Sequence, residues 1–409
     1  MITHNHNKLI TNYILVVGLS LILGGIFLQP NMDLIHGLFT IIQEPGVLIT
    51  DHFAIAGPGP ALLNAGLCLM IALLFLKLSK ANLSGITLAS TFIYLGFAFF
   101  GKTIFNILPI FLGVKLYSMY MQESMKSYIH IAIFATCLAP IVSVNFLGNN
   151  LGILVGILSG IFYGFIIVPV GQNALNFHKG YTLYNIGFSA GLCALIATAI
   201  IRSFGFELNS VFIISDDYAL LILIMLLVYS IGTMILGLCL KEFSIKEYII
   251  LLNRPGRAVT DYFLLHHPSV VFFNIGLLGL ICTIAALLTG VTLNGPILGA
   301  IITNLGFAAF GKNPKNTIPL MIGVALMFVL TNAQPSTGFV LTLIFVTCLA
   351  PIPGEFGLII GIITGMLHYA VVSFSSPWQG AMNLYNNGFA SGIVAGFMIN
   401  IIQSLKKIQ

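Results

Sequence analysis

The chain has 409 residues, of which 58% are hydrophobic and only 7% charged, with a formal net charge of +5. A mean hydropathy of +1.05 excludes a water-soluble globule, in which about a quarter of residues carry charge. The cations stand singly between apolar stretches, so a nucleic-acid-binding patch is excluded as well.

Spanning helices need roughly 20 apolar residues. In chain order the first half predicts spans at 10–29, 61–79, 85–101, 104–121, 127–144, 150–170 and 182–202. The second half predicts 218–240, 270–289, 295–311, 316–332, 338–352, 356–375 and 384–404. The first stretch, Ile10 to Leu28, lacks a small-residue cleavage site and has a counterpart after Tyr218. It reads as a structural helix and not as a removable signal peptide. Several spans are short and hold Gly or Pro, which fits paired half-helices entering and leaving on one side. A bilayer tolerates these only where protein or a polar cavity shields the backbone. The segments around Pro45-Gly46 and Pro255-Gly256 read as surface or re-entrant elements.

The two halves are copies. With an offset of 210 (261 − 51), Thr50-Asp51-x-Phe53 falls on Thr260-Asp261-x-Phe263, and Asn64 on Asn274. Leu95-Gly96-Phe97-Ala98-x-Phe100-Gly101-Lys102 falls on Leu305-Gly306-Phe307-Ala308-x-Phe310-Gly311-Lys312, and Asn106 on Asn316. After small length changes Thr136-Cys137-Leu138-Ala139-Pro140 meets Thr347-Cys348-Leu349-Ala350-Pro351, and Leu183-Tyr184-Asn185 meets Leu384-Tyr385-Asn386. Doubled membrane halves are the usual construction of solute transporters. The repeats are assigned to 1–209 and 210–409.

Charge sets the orientation, because cytoplasmic loops collect Lys and Arg. With the N-terminus inside and seven crossings per half, Lys8, Lys77, Lys80, Lys126, Lys179, Lys241, Lys246, Arg254, Arg257, Lys312, Lys315, Lys406 and Lys407 face the cytoplasm. Only Lys102 and Arg202 fall outside, with Lys115 inside a span. An even count would put the basic 241–257 linker on the same side as the 30–60 stretch, which has no Lys or Arg. Odd parity is therefore expected, and turning a hairpin pair into re-entrant segments preserves it. The fold class is an all-α polytopic membrane protein of two inverted-topology repeats with roughly 10 to 14 segments.

The motifs supply candidate site residues. Asn185, Asn386 and Asn387 begin a span among glycines, where an amide can bind a solute at the midplane or staple two helices. Thr136 and Thr347 sit where a proline breaks a helix at matching points of both halves, a pointer to a transport site. Glu355 is the only acid between Asp261 and the C-terminus. It is a coupling candidate, or else an interfacial residue beside a loop. Asp51 and Asp261 read as helix caps or ion ligands. Lys102 and Lys312 read as snorkelling anchors or as paired gates for an anionic solute. Gly152, Gly156, Gly160 and Gly164, echoed by Gly357, Gly361 and Gly365, form a smooth stripe suited to helix packing.

Other chemistry finds no support. The six cysteines lie in apolar runs without a CxxC pair, and His36, His130, His178, His266, His267 and His368 lack metal-ligand spacing. There is no phosphate-binding loop and no HExxH. No catalytic residue, metal or cofactor is expected, and the chain is not expected to be an enzyme.

The duplicated pattern Pro-Gly-x-x-x-Thr-Asp-x-Phe, Leu-Gly-Phe-Ala-x-Phe-Gly-Lys, Thr-Cys-Leu-Ala-Pro and Leu-Tyr-Asn-x-Gly-Phe resembles the bacterial membrane proteins grouped as DUF1576. The resemblance covers most of the chain and implies a membrane location and a duplicated fold, without an activity. A local resemblance to urea channels is carried by Gly180 to Gly191 and Gly380 to Gly392. The Leu-Pro-x-x-Thr-x-Pro-Phe signature of those channels is absent, and no residue roles carry over.

The expected function is a secondary transporter or facilitator of a small polar solute in the bacterial cytoplasmic membrane, with the site between the repeats. A passive urea-channel-like pore for a neutral solute is the first alternative, and a membrane scaffold or integral membrane enzyme the second. Expected partners are the lipid bilayer and the solute, without nucleic acid; a homo-oligomer is compatible with these features.

Overall fold

Long apolar runs offer the backbone few competing side-chain partners, and in lipid each N–H and C=O must be paired internally. The computed structural model describes residues 2–30, 32–208, 210–258 and 260–406, and these are helical almost throughout. The first half holds α1 (Ile2–Leu28), α2 (Met32–Ile42), α3 (His52–Ala56), α4 (Pro58–Leu78), α5 (Gly85–Gly96), α6 (Leu108–Tyr120), α7 (Ile129–Ala135), α8 (Ala139–Ser143), α9 (Ile153–His178) and α10 (Asn185–Ser203). The second repeats the order with α11 (Ala219–Cys239), α12 (Ile245–Leu252), α13 (Tyr262–Leu265), α14 (Pro268–Leu288), α15 (Gly295–Phe307), α16 (Pro314–Leu330), α17 (Thr337–Phe345), α18 (Pro351–Phe356), α19 (Leu358–Ser375) and α20 (Asn386–Lys406). Nine helices among the described residues are long and apolar enough to cross a membrane.

The inversion follows from how twin helices meet. Gly96 of α5 packs so closely on α15 that a Cβ there would lie 2.2 Å from the Gly299 carbonyl oxygen. Gly306 of α15 likewise meets the Leu88 carbonyl oxygen at 2.5 Å. The end of each helix therefore faces the start of the other, and the two run antiparallel. An axis along the bilayer normal would make equivalent helices parallel, so the pseudo-twofold axis lies in the membrane plane. The contacts of α1 with α11 agree: Tyr13 bonds Thr233 (2.7 Å) and Ser20 bonds Tyr229 (2.9 Å), again with opposite direction.

Two of the seven predicted crossings per half are instead arms of a hairpin. Thr87, in the first turn of α5, bonds His130 at the start of α7 (3.0 Å), and a short connection over 121–128 joins the end of α6 to α7. The hairpin α5–α6 thus enters and leaves on one face, and so does its twin α15–α16. The predicted spans 85–101, 104–121, 295–311 and 316–332 are corrected accordingly. Helices of 12 and 13 residues, α5 and α6, are about 18–20 Å long at 1.5 Å per residue, short of the ~30 Å hydrocarbon core. Five crossings and one hairpin remain per half, the tenth crossing being the shorter α17–α18 segment that is the twin of α7–α8, and the parity stays odd. The basic residues Lys77, Lys80, Lys126, Lys179, Lys241, Lys246, Arg254 and Arg257 consequently flank helix ends on the face where α1 begins, and Arg202 lies at the opposite one. Lys407 lies outside the described residues.

The inner glycines of both stripes pack helices, as expected, whereas Gly152 and Gly357, which precede α9 and α19 with φ of +91° and +86°, would have nothing within 4 Å of an added Cβ. Gly160 and Gly164 of α9 lie against Pro109 and the Ile110 carbonyl of α6, and Gly361 and Gly365 of α19 against Pro319 and the Leu320 carbonyl of α16.

Because the atom nearest Gly96 is backbone, Gly96→Ala should destabilise the protein by about 1–3 kcal/mol. Gly232→Ala, where an added methyl meets nothing within 4 Å, should leave stability unchanged or raised. Thermal unfolding in detergent checks the contrast, and equal melting of the two variants would contradict the antiparallel contact.

Candidate functional site

A helix that stops inside a membrane exposes backbone groups that side chains must satisfy. At the hairpin tips conserved geometry in both halves does this. Asn64 Nδ2 donates to the carbonyls of Ala98 and Lys102, both at 2.9 Å, and Asn274 Nδ2 to those of Ala308 (2.8 Å) and Lys312 (2.9 Å). The Asn106 and Asn316 amides reach the Gly101 and Gly311 carbonyls at 3.0 and 2.9 Å. Gly101 and Gly311 turn the chain with φ of +113° and +101°, where a side chain would be strained. The Pro-Gly segments dip inward: a Cβ on Gly46 would meet the Gly101 oxygen at 2.6 Å, and one on Gly256 the Gly311 oxygen at 1.9 Å. They are the re-entrant plugs of the two tips.

The halves exchange hydrogen-bonding groups across the axis. Asp51 caps its own α3 through Phe53 N (2.9 Å) and accepts from Gly295 N at the start of α15 (3.2 Å). Asp261 caps Phe263 N (3.0 Å) and accepts from Gly85 N (2.9 Å) and Ile86 N (3.2 Å) at the start of α5. Both aspartates are caps, each serving a helix of the other repeat. The extended approaches to α10 and α20 also cross over. Leu183 N donates to the Cys348 carbonyl (2.9 Å) and Leu384 N to the Cys137 carbonyl (3.0 Å), at the proline breaks of the opposite half. The first turns of α10 and α20 then meet, with Gly187 against the Gly388 Cα.

Lys102 and Lys312 do not snorkel: both are 0% exposed. After each tip the chain turns inward, so the stem cannot reach water. Lys102 Nζ lies 2.6 Å from the Tyr385 hydroxyl, over the Tyr94 (5.0 Å) and Tyr385 (4.7 Å) rings. Lys312 Nζ bonds the Tyr184 hydroxyl (2.9 Å), Thr347 Oγ1 (2.9 Å) and Asn304 Oδ1. Each lysine thus takes the tyrosine of the other repeat's Leu-Tyr-Asn motif. Among the described residues the ion pairs are Glu247–His266 and Glu242–His267, so neither lysine has a carboxylate partner.

Around this centre lie two related cavities. One, of about 490 Å³, is bounded by Phe97, Phe100, Phe345, Leu384, Asn386 and Asn387 and reaches Val211 and Gln334 at the face opposite the basic one. The other, of about 260 Å³, is bounded by Phe307, Phe310, Phe134, Leu183, Tyr184 and Asn185 and reaches Ala258 on the basic face. These lining sets are twins under the repeat. Between them stand packed rings: Phe97 stacks on Phe345 (5.5 Å) and lies tilted against Tyr385 (4.7 Å), and Phe307 lies tilted against Tyr184 (4.7 Å) and Phe134 (6.1 Å).

The predicted site residues divide between these features. Asn185, Asn386 and Asn387 line the vestibules but are partly engaged. Asn185 bonds His178 (2.8 Å) and the Gly171 carbonyl (2.9 Å), Asn386 Oδ1 accepts from Ser375 and Gln379 (both 2.8 Å), and Asn387 Oδ1 meets His368 (3.1 Å). Thr347 belongs to the Lys312 cage, whereas Thr136 donates to the Ile133 carbonyl of its own helix (2.7 Å). Glu355 is exposed at the end of α18, where it accepts from the Tyr181 hydroxyl at 2.8 Å, apart from the partition. Burial and that carboxylate push the Tyr181 hydroxyl up to about 12. Sequence reasoning missed the phenylalanines and tyrosines of the partition, although both repeated motifs contain them. It also missed Asn304, which no repeat marks, because its twin is Tyr94.

A family model described as a protein of unknown function (DUF1576) matches residues 30–203 and again 240–404. Neither a curated protein nor a solved structure matches the chain.

If the vestibules open on opposite faces, Gln172→Cys and Gln334→Cys, each on one vestibule wall, should react with a membrane-impermeant thiol reagent from opposite sides of oriented vesicles. Labelling of both from one side would contradict the arrangement.

Proposed function

We propose, for a chain that belongs to the DUF1576 family of proteins of unknown function, the role of a secondary transporter or facilitator of a small polar solute. The observation that carries this reading is the pair of symmetry-related vestibules, one per face, that end at a shared aromatic partition. Inverted repeats place transport sites at their interface, where broken helices meet. The two halves offer equivalent walls to either face, so small motions of one repeat against the other could expose the centre alternately. Size and polarity support a small, uncharged solute: among the described residues no Asp, Glu, Lys or Arg lines either vestibule. The amides of Asn185, Asn386 and Asn387, with Gln172 and Gln334, supply uncharged hydrogen-bonding points in the walls. The uncharged lining equally favours the second reading, a passive pore for a neutral solute. By the distribution of lysines and arginines, the basic face is proposed as the cytoplasmic face of a bacterial inner membrane.

The test is flux into proteoliposomes, followed by light scattering with a panel of small neutral solutes such as urea, glycerol and acetamide, with and without proton or sodium gradients. Flux above protein-free vesicles is expected. Phe97→Ala and Phe307→Ala should change the rate by roughly tenfold or more, since each opens the partition. A protein that moves no panel solute under any gradient would refute the reading. Gradient-independent flux would select the pore.

A further inference from the structure

Lys102 and Lys312 occupy equivalent positions in unequal surroundings. An ammonium has three N–H donors and no lone pair, whereas a neutral amine has two donors and one lone pair. Around Lys312 three oxygens converge: Tyr184 Oη, Thr347 Oγ1 and Asn304 Oδ1. Asn304 is fixed with its carbonyl toward the lysine, because its Nδ2 donates to the Ile344 carbonyl at 3.0 Å. As an ammonium, Lys312 gives one N–H to each oxygen. As an amine it keeps the bonds to Asn304 and Thr347 and accepts the Tyr184 O–H. Only that hydroxyl proton has to rotate between the two states.

Lys102 has no such cage. Tyr94 stands where Asn304 stands in the other half, and among the described residues its hydroxyl has no oxygen or nitrogen hydrogen-bond partner. Thr136 donates to the Ile133 carbonyl just as Thr347 does to the Ile344 carbonyl, but among the described residues only Thr347 also bonds its lysine. Tyr385 is the one oxygen partner of Lys102 among the described residues. An ammonium there would have only the faces of the Tyr94, Phe97 and Tyr385 rings for its other two N–H donors, and donors without an oxygen acceptor in a dry setting cost several kcal/mol.

We propose that Lys312 is a proton-binding group of the transport cycle, loaded from the vestibule that Tyr184 lines, and that Lys102 is held as a neutral amine. A proton from vestibular water joins the Lys312 Nζ lone pair while the Tyr184 O–H turns from donor to acceptor; release reverses both movements. The groups facing Lys312 are the Tyr184 hydroxyl ahead of α10, the Cys282 thiol of α14 and the Cys348 thiol at the α17–α18 break. Tyr262 of α13 is bound to the Gly311 carbonyl next to it. None of these is an anion that would pin the proton in place. What the proton drives rests on the vestibule reading; that it binds at Lys312 does not.

The test reads the proton directly, without a solute. Protein labelled with 13C and 15N at lysine is titrated in detergent between about pH 5 and pH 9, and the two buried side chains are assigned by the signals missing from Lys312→Met and Lys102→Met. Lys312 is expected to pass from amine to ammonium within the range, while Lys102 keeps its amine shift. Asn304→Leu, and the near-isosteric Thr347→Val should Asn304→Leu fail to fold, are expected to lower the proton affinity of Lys312 by roughly tenfold, moving its transition to lower pH. An unchanging Lys312 signal, a Lys102 that titrates alongside it, or a transition indifferent to the cage variants would overturn the proposal. Solute flux that persists beside any of these results would leave the vestibule reading intact.

Discussion

Backbone that ends inside a bilayer has no water to turn to, and in this protein each half finishes the hydrogen bonding of the other. Asp51 and Asp261 cap helices across the axis, and Leu183 and Leu384 donate to carbonyls freed by the opposite proline break. Tyr184 and Tyr385 reach the lysine of the other repeat in the same crossed manner. The vestibules, the partition and the buried lysines all depend on this exchange. Without it the helix starts and the proline breaks would leave polar groups bare in hydrocarbon, at a cost of several kcal/mol each.

Much of this was legible in the sequence because duplication marks what both halves need. Asp51, Asn64, Gly101, Lys102 and Asn106, with their twins, fall at the hairpin tips or at helix caps. The parity of the halves was readable from where lysines gather. Length was a weaker guide: α5 and α6 are as apolar as true spans, and only their shortness separates them from crossings. Partnership was not readable at all. A lysine beside a span end carries the same letters whether its stem rises to water or folds into a cage 128 residues away in sequence. Asn304 illustrates the limit, since a residue without a twin gives no repeat to notice.

The departures from symmetry are as informative as the symmetry. The tips share their asparagine braces, yet His52 serves the first through Ala98 O (3.0 Å) and Gly101 N (3.1 Å), and Tyr262 serves the second through Gly311 O (3.0 Å). Different side chains fill the same structural need there, so the change is silent. Around the lysines the exchange of Tyr94 for Asn304 alters what the site can hold. An inverted pair that had kept identical cages would offer its two lysines the same partners; here Lys312 meets three oxygens and, among the described residues, Lys102 one.

Crossed capping has a further consequence for autonomy. A lone half would carry an Asp51 with no foreign helix to cap and a Leu183 with no broken partner to meet. Such a unit could be satisfied only by a second copy inserted the other way up, so neither repeat is a self-sufficient folding unit.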